Sequence, residues 1–163
     1  MLHLVNALAS WTIESRTVTL RRAVVADVPV IVELLAADQL GAARDGGDLA
    51  VYYRAFEAID ADPAQLLVVL DSPDAVVGTM QLTFIPGMAR RGGLRAQIEA
   101  VRVHEAGRSQ GLGGRMFDWA IAEARRRGCS LVQLTTDKSR ADAHRFYDRL
   151  GFVASHEGFK LHL

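Results

Sequence analysis

The stretch Arg108-Ser109-Gln110-Gly111-Leu112-Gly113-Gly114 follows an apolar alternating run and opens a segment of helical periodicity. Backbone that carries so little side chain at a helix start can turn several N–H groups toward one point, and the helix dipole adds attraction for negative charge. The stretch reads as a seat for a phosphate. Taken alone, Arg-x-x-Gly-x-Gly is a weak pattern. With glycine near 7% of residues, roughly one chain in ten of this size carries it by chance, as an ordinary glycine-rich turn. Its place between a strand and a helix of one crossover sharpens the reading. The dinucleotide fingerprint Gly-x-Gly-x-x-Gly is absent from the loop, and so is the Gly-Lys-Ser/Thr ending of a nucleoside triphosphate loop.

The chain has 163 residues, 50% hydrophobic and 23% charged, with no net formal charge. That size favours one soluble domain with a full core. The charge balance argues against nucleic acid as the main partner. A single cysteine, Cys129, excludes an intrachain disulfide and fits a reducing, cytoplasmic setting. No apolar stretch is long enough to span a bilayer, so no membrane partner is expected. Residues 1–16 read as an N-terminal extension, without the basic start and apolar centre of a secretory signal. Residues 17–163 read as a single domain.

Periodicity supplies the elements. Thr17 to Ala23 alternates and reads as a strand. Asp27 reads as the cap of a helix with Pro29 in its first turn, its apolar face being Val28, Ile31, Val32 and Leu35. A polar loop, Gly41 to Gly47, precedes a second helix begun by Asp48, with Val51, Ala55 and Ile59 on a face, and ended by Asp62-Pro63. Leu66–Leu70 and Val76–Ile85 are strands around the turn Asp71 to Asp74. Arg95–Val103 is the strand before the glycine loop, and Leu112–Arg127 is a helix with Met116, Ala120 and Ala124 in line and Gly128 at its C-terminal end. Leu131–Thr136 is an apolar strand. Ser139 opens a helix with Ala143, Phe146, Tyr147 and Leu150 on one face. Phe152–Leu163 is read as a last strand or hairpin. The order β-α-α-β-β-β-α-β-α-β makes an α/β (α+β) fold: a mixed, mostly antiparallel sheet with a central βαβ crossover and helices on both faces.

Two motifs then carry a resemblance. Arg108, Gly111 and Gly113 match Gln/Arg-x-x-Gly-x-Gly/Ala. The run Ala143-His144-Arg145-Phe146-Tyr147-Asp148-Arg149-Leu150-Gly151-Phe152 matches a Phe-Tyr pair followed by Gly-Phe. With the element order, they make the chain resemble the GNAT superfamily of acyl-CoA-dependent N-acyltransferases over about residues 17 to 163. The resemblance implies acetyl-CoA as donor, a primary amine as acceptor, no metal, and a possible homodimer. It implies that the diphosphate lies over the N–H groups of Ser109, Gln110, Gly111, Leu112, Gly113 and Gly114, with Arg108 and Arg115 adding charge. It implies that Val101, Arg102 and Val103 pair their backbone with the pantetheine arm through a splayed strand edge, and that Tyr147 is the general acid. Arg140 stands where relatives carry an Asn against the cofactor, which puts that contact in doubt.

Other residues have two readings each. Tyr147 lies on an apolar helix face, so it is either core or the acid that protonates a leaving thiolate. Glu99 alternates in phase with Val101 and Val103, so it is either the base that takes the amine proton or an edge charge facing solvent. Gln97, two residues earlier, cannot titrate. Ser139 and Asp142 read as a capping box. Arg90-Arg91 reads as a solvated hairpin tip that could touch an acidic acceptor. The carboxylates Asp38, Asp45 and Asp48 could suit a cationic amine or simply keep a loop soluble. The histidines show no metal spacing, and Cys129 reads as an inert small hydrophobe. The reading is an N-acetyltransferase acting on a small amine by direct attack in a ternary complex. The alternative is a non-catalytic acyl-CoA-binding regulatory module.

Overall fold

A computed structural model describes residues 7–37, 39–108 and 110–163. The chain divides into two units, residues 1–133 and 134–163, which are described separately.

The first unit is built on a sheet whose strands neighbour one another in chain order, β1 (Ala7–Ile13), β2 (Arg16–Arg22), β3 (Gln65–Asp71), β4 (Val76–Pro86), β5 (Leu94–Val103) and β6 (Leu131–Leu134). The pairs from β1 to β5 are antiparallel. β6 runs with β5. Ser130 N–H and Oγ both donate to the Leu94 carbonyl, and Gln133 Nε2 donates to Gln97 Oε1; both pairs have the same 36-residue offset, which is parallel register. This is the expected mixed sheet with one crossover.

The helices of this unit are α1 (Val28–Ala36), α2 (Gln39–Ala42), α3 (Leu49–Ala61), α4 (Ala89–Gly92), α5 (Glu105–Arg108) and α6 (Leu112–Arg126). Strand alternation sorts what they cover. Leu66, Val68 and Leu70 of β3 pair with Leu82, Met80 and Gly78 of β4, and Leu82 and Phe84 pair with Ile98 and Ala96 of β5. This face is fully apolar and buried. The end of α6 lies on it, for the Arg127 guanidinium sits 4.0 Å from the Phe84 ring centroid. The other face holds Val69 and Leu67, packed with Ala23, Val28, Ile31, Val32 and Phe56 from α1 and α3.

Within residues 1–16, β1 adds an antiparallel edge strand. Two sequence expectations are corrected here. On α3 the buried side is Phe56, with Leu49, Tyr52 and Tyr53 against it, whereas Val51 and Ala55 are exposed. The aromatic side chains bury more area than Val or Ala, and they take the inner face. Asp27 stands at the N-cap of α1, yet its side chain makes no cap bond to that helix. Instead it accepts from Val24 N–H (2.8 Å) and takes Arg21 in two parallel bonds of 2.7 and 3.0 Å. Arg21 Nε also donates to Asp71 (2.7 Å). These carboxylates, Asp27 first, hold the Arg21 guanidinium well above its ordinary pKa despite burial. Asp48, by contrast, caps α3 as expected, accepting from Ala50 N–H at 2.9 Å.

The second unit contains α7 (Ala141–Arg149). Ser139 does not form the expected capping box. Its N–H and hydroxyl both donate to Asp137 Oδ1 (2.9 and 2.6 Å), and these bonds, the hydroxyl first, lower the Asp137 pKa. Asp142 pairs with Arg145 one turn on. Residues 152–163 form neither the expected strand nor a hairpin. Val153, Phe159, Leu161 and Leu163 are exposed.

Two outcomes test this account. Asp27→Asn strips one partner from a buried ion pair and should cost about 3 kcal/mol, read from urea unfolding. Glu123, nearly buried on α6, is held below the ordinary carboxylate range by Arg126 and Arg127. A depressed acid contributes stability that is present above its unfolded pKa and lost as pH falls through the folded one. Glu123→Gln should therefore cost about 1 kcal/mol at pH 7, with the gap to the parent closing below about pH 4.

Candidate functional site

The site is built around the end of β5. On β4, Gln81 pairs with Glu99 and Thr79 pairs with Arg102, so β5 carries one more residue than its partner between these points. The extra residue is a β-bulge at Ala100, whose φ is +53°. A bulge breaks the alternation of side chains. Glu99 faces the side of Gln81 and Thr79, together with Arg102, while Val103 pairs with Gly78 and faces the opposite side. The expectation that Glu99, Val101 and Val103 share a face is therefore corrected, because simple alternation does not survive the bulge.

With the 36-residue offset, the last residue of β6, Leu134, stands level with Ile98. β5 continues for five residues beyond that point. The two strands diverge in length where β5 bulges. Beyond the bulge, the carbonyl of Val101 accepts from Arg102 Nη1 (2.8 Å) and that of Val103 from Arg108 Nε (3.0 Å). Arg108 thus spends one donor on the strand end and keeps its charge at the loop.

The glycine loop then delivers the chain into α6. Gly111 is the N-cap, with φ +69° in the left-handed region, and no side chain caps the helix. The first rung of the helix is Arg115 N–H to the Gly111 carbonyl at 3.2 Å. The amides of Leu112, Gly113 and Gly114 precede that rung and have no acceptor within the helix. Gln110 N–H is already used by the Gly107 carbonyl (3.3 Å). A Cβ on Gly111 or Gly114 would meet nothing within 4 Å. The glycines are not there to relieve crowding inside the protein; they leave the amides uncovered. Leu112 is buried and anchors the turn, and Arg115 is exposed beside it. Ser109 lies outside the described residues, as does Asp38.

Of the other expected residues, Glu99 is exposed on β5. Tyr147 lies on α7 in the second unit. Its ring packs edge-on against Phe146 (centroids 5.5 Å apart, 67°) and Phe152 (6.0 Å, 69°). The Phe-Tyr and Gly-Phe residues of the second motif therefore form one aromatic cluster, which fixes the plane of the phenol. Cys129 is half-buried, and burial pushes its thiol up. Among the described residues, no three His, Cys, Asp or Glu side chains gather as a metal site, and no helix is long and apolar enough to cross a membrane.

Sequence reasoning missed a polar row on the face that carries Glu99. Gln65 pairs with Thr83, Thr83 with Gln97, and Gln97 bonds Gln133, so one uncharged side chain from each of four strands stands in line. Gln65 Oε1 accepts from both Thr83 (2.9 Å) and Gln81 (3.0 Å). The alternation Thr79, Gln81, Thr83 on β4, with Gln65 on β3 and Gln97 on β5, was the available signal.

Comparison with known proteins shows the family of this fold. Residues 31–152 match the acetyltransferase (GNAT) family, three quarters of the chain, and the chain belongs to that family. A solved structure from Bacillus halodurans C-125, described as a transcriptional regulator, is 46% identical with a TM-score of 0.85, over 90% of this chain and 99% of that one. An Agrobacterium tumefaciens C58 structure described as an acetyltransferase is 29% identical with a TM-score of 0.79, over 88% of this chain and 99% of that one. The aminoalkylphosphonate N-acetyltransferase of Salmonella typhimurium is 41% identical over 63 residues; the match spans 39% of this chain and 41% of that relative's length.

The two glycines should separate on mutation. Gly111→Ala forces an alanine into the left-handed region and should cost about 1 kcal/mol. Gly114→Ala, with ordinary helical dihedrals and open space, should raise stability by about 0.5 kcal/mol. Thermal unfolding of the two variants reads the difference in sign.

Proposed function

We propose that this chain transfers an acetyl group from acetyl-CoA to the primary amine of a small molecule, with both substrates bound at once. The observation that carries the reading is the pair of features around β5. Three uncommitted amides at Leu112, Gly113 and Gly114 suit a diphosphate, and a bulged strand that outruns its neighbour suits an extended arm laid along its edge. Family membership and the amine-directed Salmonella relative support the same chemistry. Arg108 and Arg115 add positive charge at the loop.

Bound acetyl-CoA supplies an activated thioester carbonyl. The backbone around Val101 to Val103 offers amides to its oxygen as negative charge develops there. Glu99, directly or through a water, takes a proton from the incoming ammonium. The free amine forms the new C–N bond, the C–S bond breaks, and the second proton on nitrogen passes to water. Tyr147 protonates the departing thiolate: the reference pKa of a phenol, near 10, keeps such a group protonated at neutral pH, and that of a thiol is near 8.5. The net products are an amide, a thiol and one proton. Holding both reactants together accounts for much of the acceleration. The single half-buried cysteine fits a cytoplasmic setting, and a homodimer belongs to the reading.

The 46% identical Bacillus structure favours a second reading, an acyl-CoA-binding module that regulates rather than catalyses. Thiol release measured over an amine library separates the two. An acetyltransferase shows acceptor-dependent release; a module binds acetyl-CoA and releases nothing above background. Tyr147→Phe should lower kcat by 10²- to 10⁴-fold, with acetyl-CoA affinity by calorimetry within about twofold. Equal losses of turnover and affinity would assign Tyr147 to the core alone. Gly114→Ala should bind acetyl-CoA at least tenfold more weakly although its fold gains stability, and unchanged affinity would remove the diphosphate from that helix start.

A further inference from the structure

β5 carries a charge sequence on the face that holds Glu99. Arg95 pairs with Ile85, Gln97 with Thr83 and Glu99 with Gln81, so the three side chains leave the same side of the sheet, and the bulge at Ala100 ends the series. Residues two apart on a strand lie about 6.7 Å from one another, which puts Arg95 and Glu99 about 13 Å apart along one line. Glu99 is exposed. Arg95 is half-buried, and its guanidinium lies against the backbone of Gly87, where a Cβ would stand 3.2 Å from Nη1.

No carboxylate among the described residues pairs with Arg95. A half-buried guanidinium presents up to five donors in a fixed fork, and without a counter-ion it is set for an anion from outside. The exposed Arg90 and Arg91, in the connection between β4 and β5, add positive charge at the same end of the strand. Between the two ends the floor is neutral. Gln97 Oε1 is taken by Gln133 (2.6 Å), which leaves the Gln97 amide N–H groups to donate.

Resting on the acetyl-transfer reading, we propose that the acceptor is a primary amine bearing an anionic group at the far end of a long chain. The ammonium lies at Glu99 beside the bulge, and the carboxylate, phosphonate or phosphate lies on Arg95. The opposite placement sets an anion against Glu99. A polyamine sets a second cation against Arg95, and a hydrocarbon amine leaves Gln97 and Arg95 without partners. The guanidinium rests at Gly87, level with Gly93 and so on the side of Arg95 away from Glu99, and the span between nitrogen and anion is therefore at least about 10 Å.

The test uses acceptors of equal chain length, about six to ten methylenes, that end in a phosphonate, a carboxylate, a hydroxyl or a second amine. Thiol release with acetyl-CoA is followed for the parent, Arg95→Gln, Arg95→Lys and Gly87→Ala. The parent should favour the anionic members at least tenfold in kcat/KM. Arg95→Gln should raise KM for those members by 10- to 100-fold while leaving kcat, and the KM of the hydroxyl analogue, unchanged. Arg95→Lys should recover part of the loss, and Gly87→Ala, which crowds the guanidinium, should show a smaller loss of the same kind. Retained acetyl-CoA affinity in each variant reports an intact fold. The relative loss for phosphonate and carboxylate tells which anion the fork prefers. A preference for the diamine or the hydroxyl analogue, or an Arg95→Gln loss shared by every acceptor, overturns the inference. Should no acceptor turn over, the acetyl-transfer reading fails by itself, and calorimetry of the phosphonate into CoA-saturated protein decides the rest. Tighter binding to the parent than to Arg95→Gln sustains the anion site, and equal or absent binding overturns it.

Discussion

Between Gln81 and Thr79 on β4, the chain of β5 advances three residues where its partner advances two. The rest of the site depends on that surplus. Without it, Val103 would share the face of Glu99, and the strand would enter the glycine loop with the opposite side outward. With it, Glu99 and Arg102 face one side and Val103 the other, so the strand can present an acid to one compartment while its end packs Val103 near Gly107 on the other. Ala100 adopts a left-handed conformation that an L-residue other than glycine reaches at a cost of about 1–2 kcal/mol. Ladder bonds on both sides of the bulge, and the buried row of Leu82 and Ile98 beneath it, hold that conformation in place.

Much of this was legible from the order of residues. The amphipathic pattern of α6 gave Met116, Ala120 and Ala124, all of which are buried. Asp48 and Gly128 announced a helix start and a helix end, and the first accepts its cap bond while the second takes φ +78°. These signals survive translation into structure because they are local: one cap, one turn, one period. The strands followed from β-branched and apolar runs between turn residues, and their parallel and antiparallel order followed from the helix in the one crossover.

What was not legible has a common cause. The hairpin between β1 and β2 turns through Glu14 and Ser15, both with positive φ. Asn-Gly at those positions would have announced a two-residue turn, but Glu-Ser does not. The bulge sits on an alanine rather than a glycine, so alternation was carried straight through it. Ser139 looked like a helix cap, yet its hydroxyl found the Asp137 carboxylate two residues back. On α3, Val51 and Ile59 fitted a helical period as well as Tyr52 and Phe56 did, and only the size of the pocket between α1 and β3 decides for the aromatics. In each case the residues themselves carry no mark of the conformation they take.

Charge shows the same separation between what is structural and what is left over. A formal net charge of zero hides a sorted arrangement. Arg21 is paired with Asp27 and Asp71, which ties β2 to the start of α1 and to the end of β3, and Arg126 and Arg127 share Glu123 within the last turn of α6. Arg95 and Arg108 are different. Arg108 bonds a backbone carbonyl, which fixes its position without cancelling its charge. Arg95 rests against Gly87, and no carboxylate among the described residues pairs with it. One stands past the C-terminal end of β5 at the glycine loop, the other at the strand's beginning. Between them lie the neutral Gln97 and the exposed Glu99. A single strand thus runs from cation to acid to cation, with the bulge beside the acid. Two anionic substrate ends, one on the donor and one on the acceptor, would be held apart by that strand, and the reacting groups would meet where its backbone departs from regular pairing.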